Sequence, residues 1–183
     1  SQAYVSAGGL RILDVSTLSA PRLVGGFSDL SRDAVVSGTL AYVAGGGEVH
    51  ILNVTDPAHP SQVSLVYTNG DARGIAVSGS RAYVANGDRL AILNVSNPIS
   101  PTVITATATP GYADDVAVNG NYAYVADDNR GLRVMDISDS AHPYEIGALE
   151  GFYAAKGVVL SGTQAFVAEG NGLSIVDVSN PIS

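Results

Sequence analysis

The chain has 183 residues, 46% of them hydrophobic and only 14% charged, which excludes a disordered or coiled-coil segment and leaves enough apolar material for a sizeable core. Nine Lys and Arg against 17 Asp and Glu give a net charge of −8, so the cationic footprint of a nucleic-acid binder is missing. The absence of Cys removes disulfides, thiol catalysis and thiolate metal sites, and no apolar run approaches the roughly 18 residues of a membrane-spanning helix.

The opening Ser1-Gln2-Ala3-Tyr4 does not read as a signal peptide, so an exported form would already have lost its signal. The first apolar run is Ala3-Tyr4-Val5-Ser6. A second run, Leu-Arg-Ile-Leu-Asp-Val-Ser, follows at 10–16, and a Pro-bearing turn leads to a third at 22–27. A fourth, Ala34-Val35-Val36-Ser37, ends at Gly38, and the order then starts again at Ala41-Tyr42-Val43-Ala44. The aromatic recurs as Tyr4, Tyr42, Tyr83, Tyr124 and Phe166, spaced 38, 41, 41 and 42 residues apart. The units start near residues 3, 34, 75, 116 and 158 and form one domain over 1–183.

Each run is short, rich in Val, Ile, Leu or Tyr, and bounded by Gly, Pro, Asn, Asp or Ser, which is a strand signal rather than a helix signal. The turns at Ser37-Gly38, Ser78-Gly79, Asn119-Gly120 and Ser161-Gly162 predict tight hairpins, hence antiparallel neighbours. The strands are apolar on both faces, as expected of sheets buried between other sheets. Together these features predict an all-β fold. It is a β-propeller of four to five blades, each a four-stranded antiparallel sheet of about 41 residues. A parallel β-helix is the rival. The Val-Ala-Val-Ser run suits the crowded axis, followed outward by the Ala-Tyr-Val-Ala, Leu-x-Ile-Leu-Asp and Leu-Val-Gly strands.

The first and last blades come out incomplete: the chain starts at a second strand and stops after a third, at Asn180-Pro181-Ile182-Ser183. Bare end faces would be costly. Closure of a single chain into a ring is the preferred solution, with self-association through the incomplete blades or a longer parent chain as the others.

These residues resemble the LVIVD-repeat family of bacterial and archaeal proteins. The resemblance rests on the Ala-Tyr-Val-Ala strand, the Leu-x-Ile-Leu-Asp-Val-Ser strand and turns such as Asp56-Pro57-Ala58-His59-Pro60 and Asn97-Pro98-Ile99-Ser100-Pro101. It implies a β-propeller in a secreted or cell-surface protein and supplies no catalytic motif. Asn53 and Asn94 depart from the Asp seen at Asp14, Asp136 and Asp177, and the turn at 17–21 is irregular.

Functional positions should differ between units where framework positions repeat. Just before each innermost strand stand Arg32, Arg73, Asp114 and Lys156, followed by Asp33, Gly74, Asp115 and Gly157. In a propeller they converge on one mouth of the central channel, where they would either bind a polar or anionic ligand or pair among themselves. Tyr112 and Tyr153 lie beside them and would either stack on a sugar or simply fill the rim. Asp127, Asp128 and Asn129 offer oxygen ligands for Ca²⁺, without the spacing of a known calcium loop. Otherwise no cofactor is expected. The recurring Asp14, Asn53, Asn94, Asp136 and Asp177 argue for a structural turn or a cross-blade hydrogen bond, and His59 and His142 read as turn residues. The resulting expectation is a non-catalytic binding or scaffold module, extracellular or at the cell surface, with a protein or polysaccharide partner. The alternative is a ligand-binding or enzymatic propeller using the channel-mouth cluster.

Overall fold

A computed structural model describes residues 1–180; the end of the predicted turn at 181–183 lies outside the described residues. It contains five antiparallel sheets and, among the described residues, no helix. The first sheet holds β1 (Gln2–Ser6), β2 (Leu10–Asp14) and β3 (Arg22–Phe27). The second holds β4 (Asp33–Ser37), β5 (Leu40–Gly45), β6 (Glu48–Asn53) and β7 (Ser61–Tyr67). The third holds β8 (Ala72–Ser78), β9 (Arg81–Asn94) and β10 (Thr102–Ala113). The fourth holds β11 (Asp115–Asn119), β12 (Tyr122–Ala126), β13 (Leu132–Asp136) and β14 (Tyr144–Leu149), and the fifth β15 (Ala155–Ser161), β16 (Gln164–Glu169) and β17 (Gly172–Asp177).

Strands pair in chain order within every sheet, as the hairpin turns require. Ser37 pairs with Leu40 across Gly38-Thr39, and Gly38 sits at φ +62°. Positive φ at the first turn position is what a type II′ hairpin needs, and only Gly adopts it freely. β9 spans two repeat positions in one strand, turning at Gly87, φ +71°.

Sheet stacking accounts for the apolar character of both faces. One face of each sheet carries the aromatic, and in the first four sheets it packs on the opposite face of the next sheet. Between the second and third sheets, Tyr42, Val49 and Ile51 meet Val84, Ala91 and Leu93. Between the third and fourth, Tyr83, Leu90 and Ile92 meet Val125, Met135 and Ile137. The first–second and fourth–fifth contacts repeat the scheme. The outermost strands bulge at one repeated place, leaving Val24, Val63, Ile104 and Ile146 unpaired in the ladder. All four of these extra side chains pack into the inter-sheet cores.

β4, β8, β11 and β15 lie side by side and line a shared central space of about 410 Å³. The radial order, innermost strand to outermost, is the one expected. Ring closure is not observed. Among the described residues no core cluster joins the fifth sheet to the first, and Val159, Leu173 and Ile175 on the fifth remain exposed. The sequence pattern shows that a face is apolar; it does not show whether the curvature of the stack brings the two end faces together.

Candidate functional site

The residues that open each inner strand are held at one end of the central space by the strand beside them. The backbone N–H groups of Arg32 and Asp114 each donate at 2.8 Å to a carbonyl near the end of the neighbouring strand, Ala44 and Ala126 respectively. Equivalent placement in successive sheets brings Arg32, Asp33, Arg73, Gly74, Asp114, Asp115 and Lys156 around a cavity of about 230 Å³. The structure thus brings these seven residues to one place.

The cations in this cavity are already paired. Arg73 bonds Asp114 across the sheet boundary and reaches Asp71 at 3.1 Å within its own sheet. Lys156 joins Asp114 at 2.6 Å and Asp128 at 2.8 Å. Arg32 reaches Asp71 at 3.2 Å. Asp114 is 5% exposed, so its two cations replace most of the hydration it lost. The two carboxylate bonds hold the Lys156 ammonium above its ordinary range. Burial alone would raise Asp71, but hydrogen bonds from Tyr112 and Arg73 override it and lower its pKa.

Asp33 and Asp115 act differently. Each cups the start of its own strand and the next sheet's inner strand together. Asp33 accepts the Ala34 N–H at 2.8 Å and the Ile75 N–H at 2.9 Å. Asp115 accepts the Val116 and Val158 N–H groups, both at 2.8 Å. Burial pushes the Asp115 carboxyl up to about 6, and nearby Asp33 and Asp114 add to the rise. With Asp33, Asp71, Asp114, Asp115 and Asp128 against Arg32, Arg73 and Lys156, carboxylates outnumber cations, which disfavours an anionic ligand.

Tyr112 and Tyr153 do not line this cavity. Tyr112 donates its hydroxyl to Asp71 at 2.8 Å and lies under the Arg73 guanidinium, 4.7 Å from its ring centroid. Tyr153 is 67% exposed, with its carbonyl accepting the Gly170 N–H. Asp71 was not singled out from the sequence, although it serves Arg32, Arg73 and Tyr112. Its only local signal is its place two residues before Arg73, where the preceding unit has Leu30 before Arg32.

Asp127, Asp128 and Asn129 do not converge. Asp127 is fully buried and accepts the Gly111 N–H at 2.8 Å, while Asp128 accepts from Lys156 and from Asn129. Among the described residues no group of three or more His, Asp or Glu is arranged to hold a metal ion. The recurring Asp14, Asn53, Asn94, Asp136 and Asp177 each accept the N–H two residues on, at 2.9–3.1 Å, and are turn residues. His59 and His142 bond Asp56 and Asp139 within their own turns, both at 2.9 Å.

Two solved structures show the same fold at low sequence identity. The computationally designed Ika8 protein superposes with a TM-score of 0.70 at 12% identity, over 97% of this chain and 55% of its own. The chain thus spans about half the length of that structure. The computationally designed Ika4 protein gives 0.67 at 7% identity, over 85% of this chain and 96% of its own. No functionally curated protein matches the chain. The LVIVD repeat profile matches five times, at residues 2–29, 30–68, 69–109, 110–150 and 154–183. The chain belongs to the LVIVD-repeat family.

Proposed function

We propose that this chain is a non-catalytic binding or scaffold module with a propeller-like stack of sheets, working outside the cell or at its surface. The observation that carries the reading is the state of the channel mouth. Each cation there is engaged by a carboxylate, and Arg73 and Lys156 bridge between sheets. Such a cluster locks neighbouring sheets in register and leaves no free base beside a nucleophile. Beside the mouth, Tyr112 packs on the Arg73 guanidinium and is 37% exposed. Exposed aromatics mixed with Arg suit the centre of a protein interface, and tyrosines also stack on sugars. A protein or polysaccharide partner at this rim follows from that chemistry.

A thermal-shift panel of nucleotides, small anions and divalent cations tests the reading. No member should raise the melting temperature. A ligand that stabilises the wild type, and loses that effect in Arg73→Ala with the fold intact, would overturn it in favour of a ligand-binding or enzymatic cavity.

A further inference from the structure

The two ends of the stack carry complementary halves of an interface that the chain builds four times internally. On the fifth sheet Val159, Phe166, Leu173 and Ile175 share one face, shown by the pairings Val159–Phe166 and Phe166–Ile175. Leu173 and Ile175 stand where the third sheet has Leu90 and Ile92 and the fourth has Leu132 and Val134. Those four are at most 7% exposed because the next sheet covers them; Leu173 is 64% exposed and Ile175 58%. On the first sheet the other kind of face is bare. Val5 is 41% exposed, while its counterparts Val43, Val84, Val125 and Val167, each pressed on a preceding sheet, are all at 0%. Ala3, Leu13 and Val15 flank Val5 on that face and are only half-covered.

We infer that a second copy of this chain docks its first sheet onto the fifth sheet of the first copy, face to face. The occupant is identified by continuity with the internal interfaces. A surface made of Val159, Phe166, Leu173 and Ile175 has the aromatic and aliphatic residues that four sheets of this chain already receive, in the same register. The Ala3, Val5, Leu13 and Val15 face matches the faces that receive them, such as Ala41, Val43, Leu52 and Val54 on the second sheet. The contact is heterologous: one patch of a copy meets a different patch of the next. A contiguous apolar face of this kind is unusual on a free monomer.

The test is sedimentation velocity of the full 183-residue chain over a dilution series. The wild type should show at least twice the monomer mass, reverting to monomer on dilution. Ile175→Lys and Val5→Glu should each be monomeric with an unchanged circular-dichroism spectrum. An equimolar mixture of the two variants should recover a pair of twice the monomer mass, because each retains the face the other has lost. Leu173→Lys replaces Ile175→Lys if that variant fails to fold. A wild type monomeric at every concentration would overturn the inference and leave the faces to further repeats. Association that survives both single variants, or a mixture that stays monomeric while the wild type associates, would overturn it equally.

Discussion

Asp115 of the fourth sheet accepts the backbone N–H of Val158 in the fifth at 2.8 Å, and does so with the oxygen not used for its own strand's Val116. Asp33 makes the same double contact two sheets earlier, with Ala34 and Ile75. A carboxylate is suited to this place because both of its oxygens accept. An Asn there would turn an N–H donor toward one of the two backbone donors.

Asp115→Asn is therefore expected to destabilise the fold by about 1–3 kcal/mol, the usual cost of a buried group losing its partner. The cost should depend on pH. The folded-state pKa of about 6 lies above the ordinary 3.8, so the folded protein holds this proton more tightly than the unfolded chain does. The resulting stabilisation is complete below the ordinary value and is lost as pH rises through about 6. Urea unfolding should show a larger gap between wild type and variant at acid pH than at mildly alkaline pH. An equal gap at both would show that burial does not disfavour the Asp115 charge.

Gly74 sits against that same carboxylate. A Cβ placed on Gly74 would meet the Asp115 Cα at 2.6 Å and its Oδ1 at 2.5 Å, and backbone atoms cannot move aside cheaply. At Gly157, the equivalent position one sheet beyond Asp115, the nearest atoms would be at 3.5 and 3.7 Å, ordinary contact. Gly74→Ala should cost about 1–3 kcal/mol, as overpacking does, and Gly157→Ala should be neutral within about 0.5 kcal/mol. Melting temperatures of the two variants side by side decide it, and equal effects would refute the close approach.

The ion cluster makes an ordered prediction. Asp114 is buried and serves two cations, while Lys156 is half-exposed and leaves Asp114 still held by Arg73 when removed. Lys156→Met should cost at most about 1 kcal/mol. Asp114→Asn should cost more, because Arg73 and Lys156 then lose their shared carboxylate. The double variant Arg73→Ala, Asp114→Asn should fall short of the sum of its single costs, since the two substitutions remove one contact between them. Chemical denaturation of wild type, the three single variants and the double variant measures all three statements.

The strands and their order were legible because their signals are local: apolar runs, a Gly at each hairpin, a repeat of about 41 residues that multiplies every clue. The channel-mouth residues were legible for a related reason, since equal spacing puts unequal residues at one place. The bulged Val24, Val63, Ile104 and Ile146 were not, because a bulge is defined by the partner strand and leaves the run itself looking regular. Asp71 escaped because two of its partners, Arg32 and Tyr112, come from other repeats. The roles of Asp127 and Asn86 were hidden too: both look like turn residues, and only the fold shows that they point inward.

Those two residues give the last prediction. In the third sheet Asn86 fits its buried place fully: its Oδ1 accepts the Thr68 hydroxyl at 2.8 Å and its Nδ2 donates to the Thr68 carbonyl at 3.0 Å. Asp127 takes the equivalent place in the fourth sheet beside Thr109. Its Oδ2 accepts from Gly111, but its Oδ1 and the Thr109 hydroxyl are buried without a hydrogen-bond partner. Burial pushes the Asp127 carboxyl upward, past the opposing pull of the Gly111 N–H and Arg133. Asp127→Asn would supply the neutral amide that this place accommodates in the sheet before. Arg133 would lose a neighbour 3.7 Å away but keep Glu150 at 3.0 Å and Glu145 at 3.5 Å. The variant should be more stable than wild type at neutral and higher pH by about 1 kcal/mol, the worth of one hydrogen bond. A raised folded pKa means that wild-type stability is lost as pH rises, so the advantage should shrink toward acid pH, where Asp127 itself is protonated. Thermal melts of wild type and Asp127→Asn across that range measure the difference. A variant less stable than wild type at neutral pH would show that the charge of Asp127, held by Arg133, outweighs its unmet oxygen.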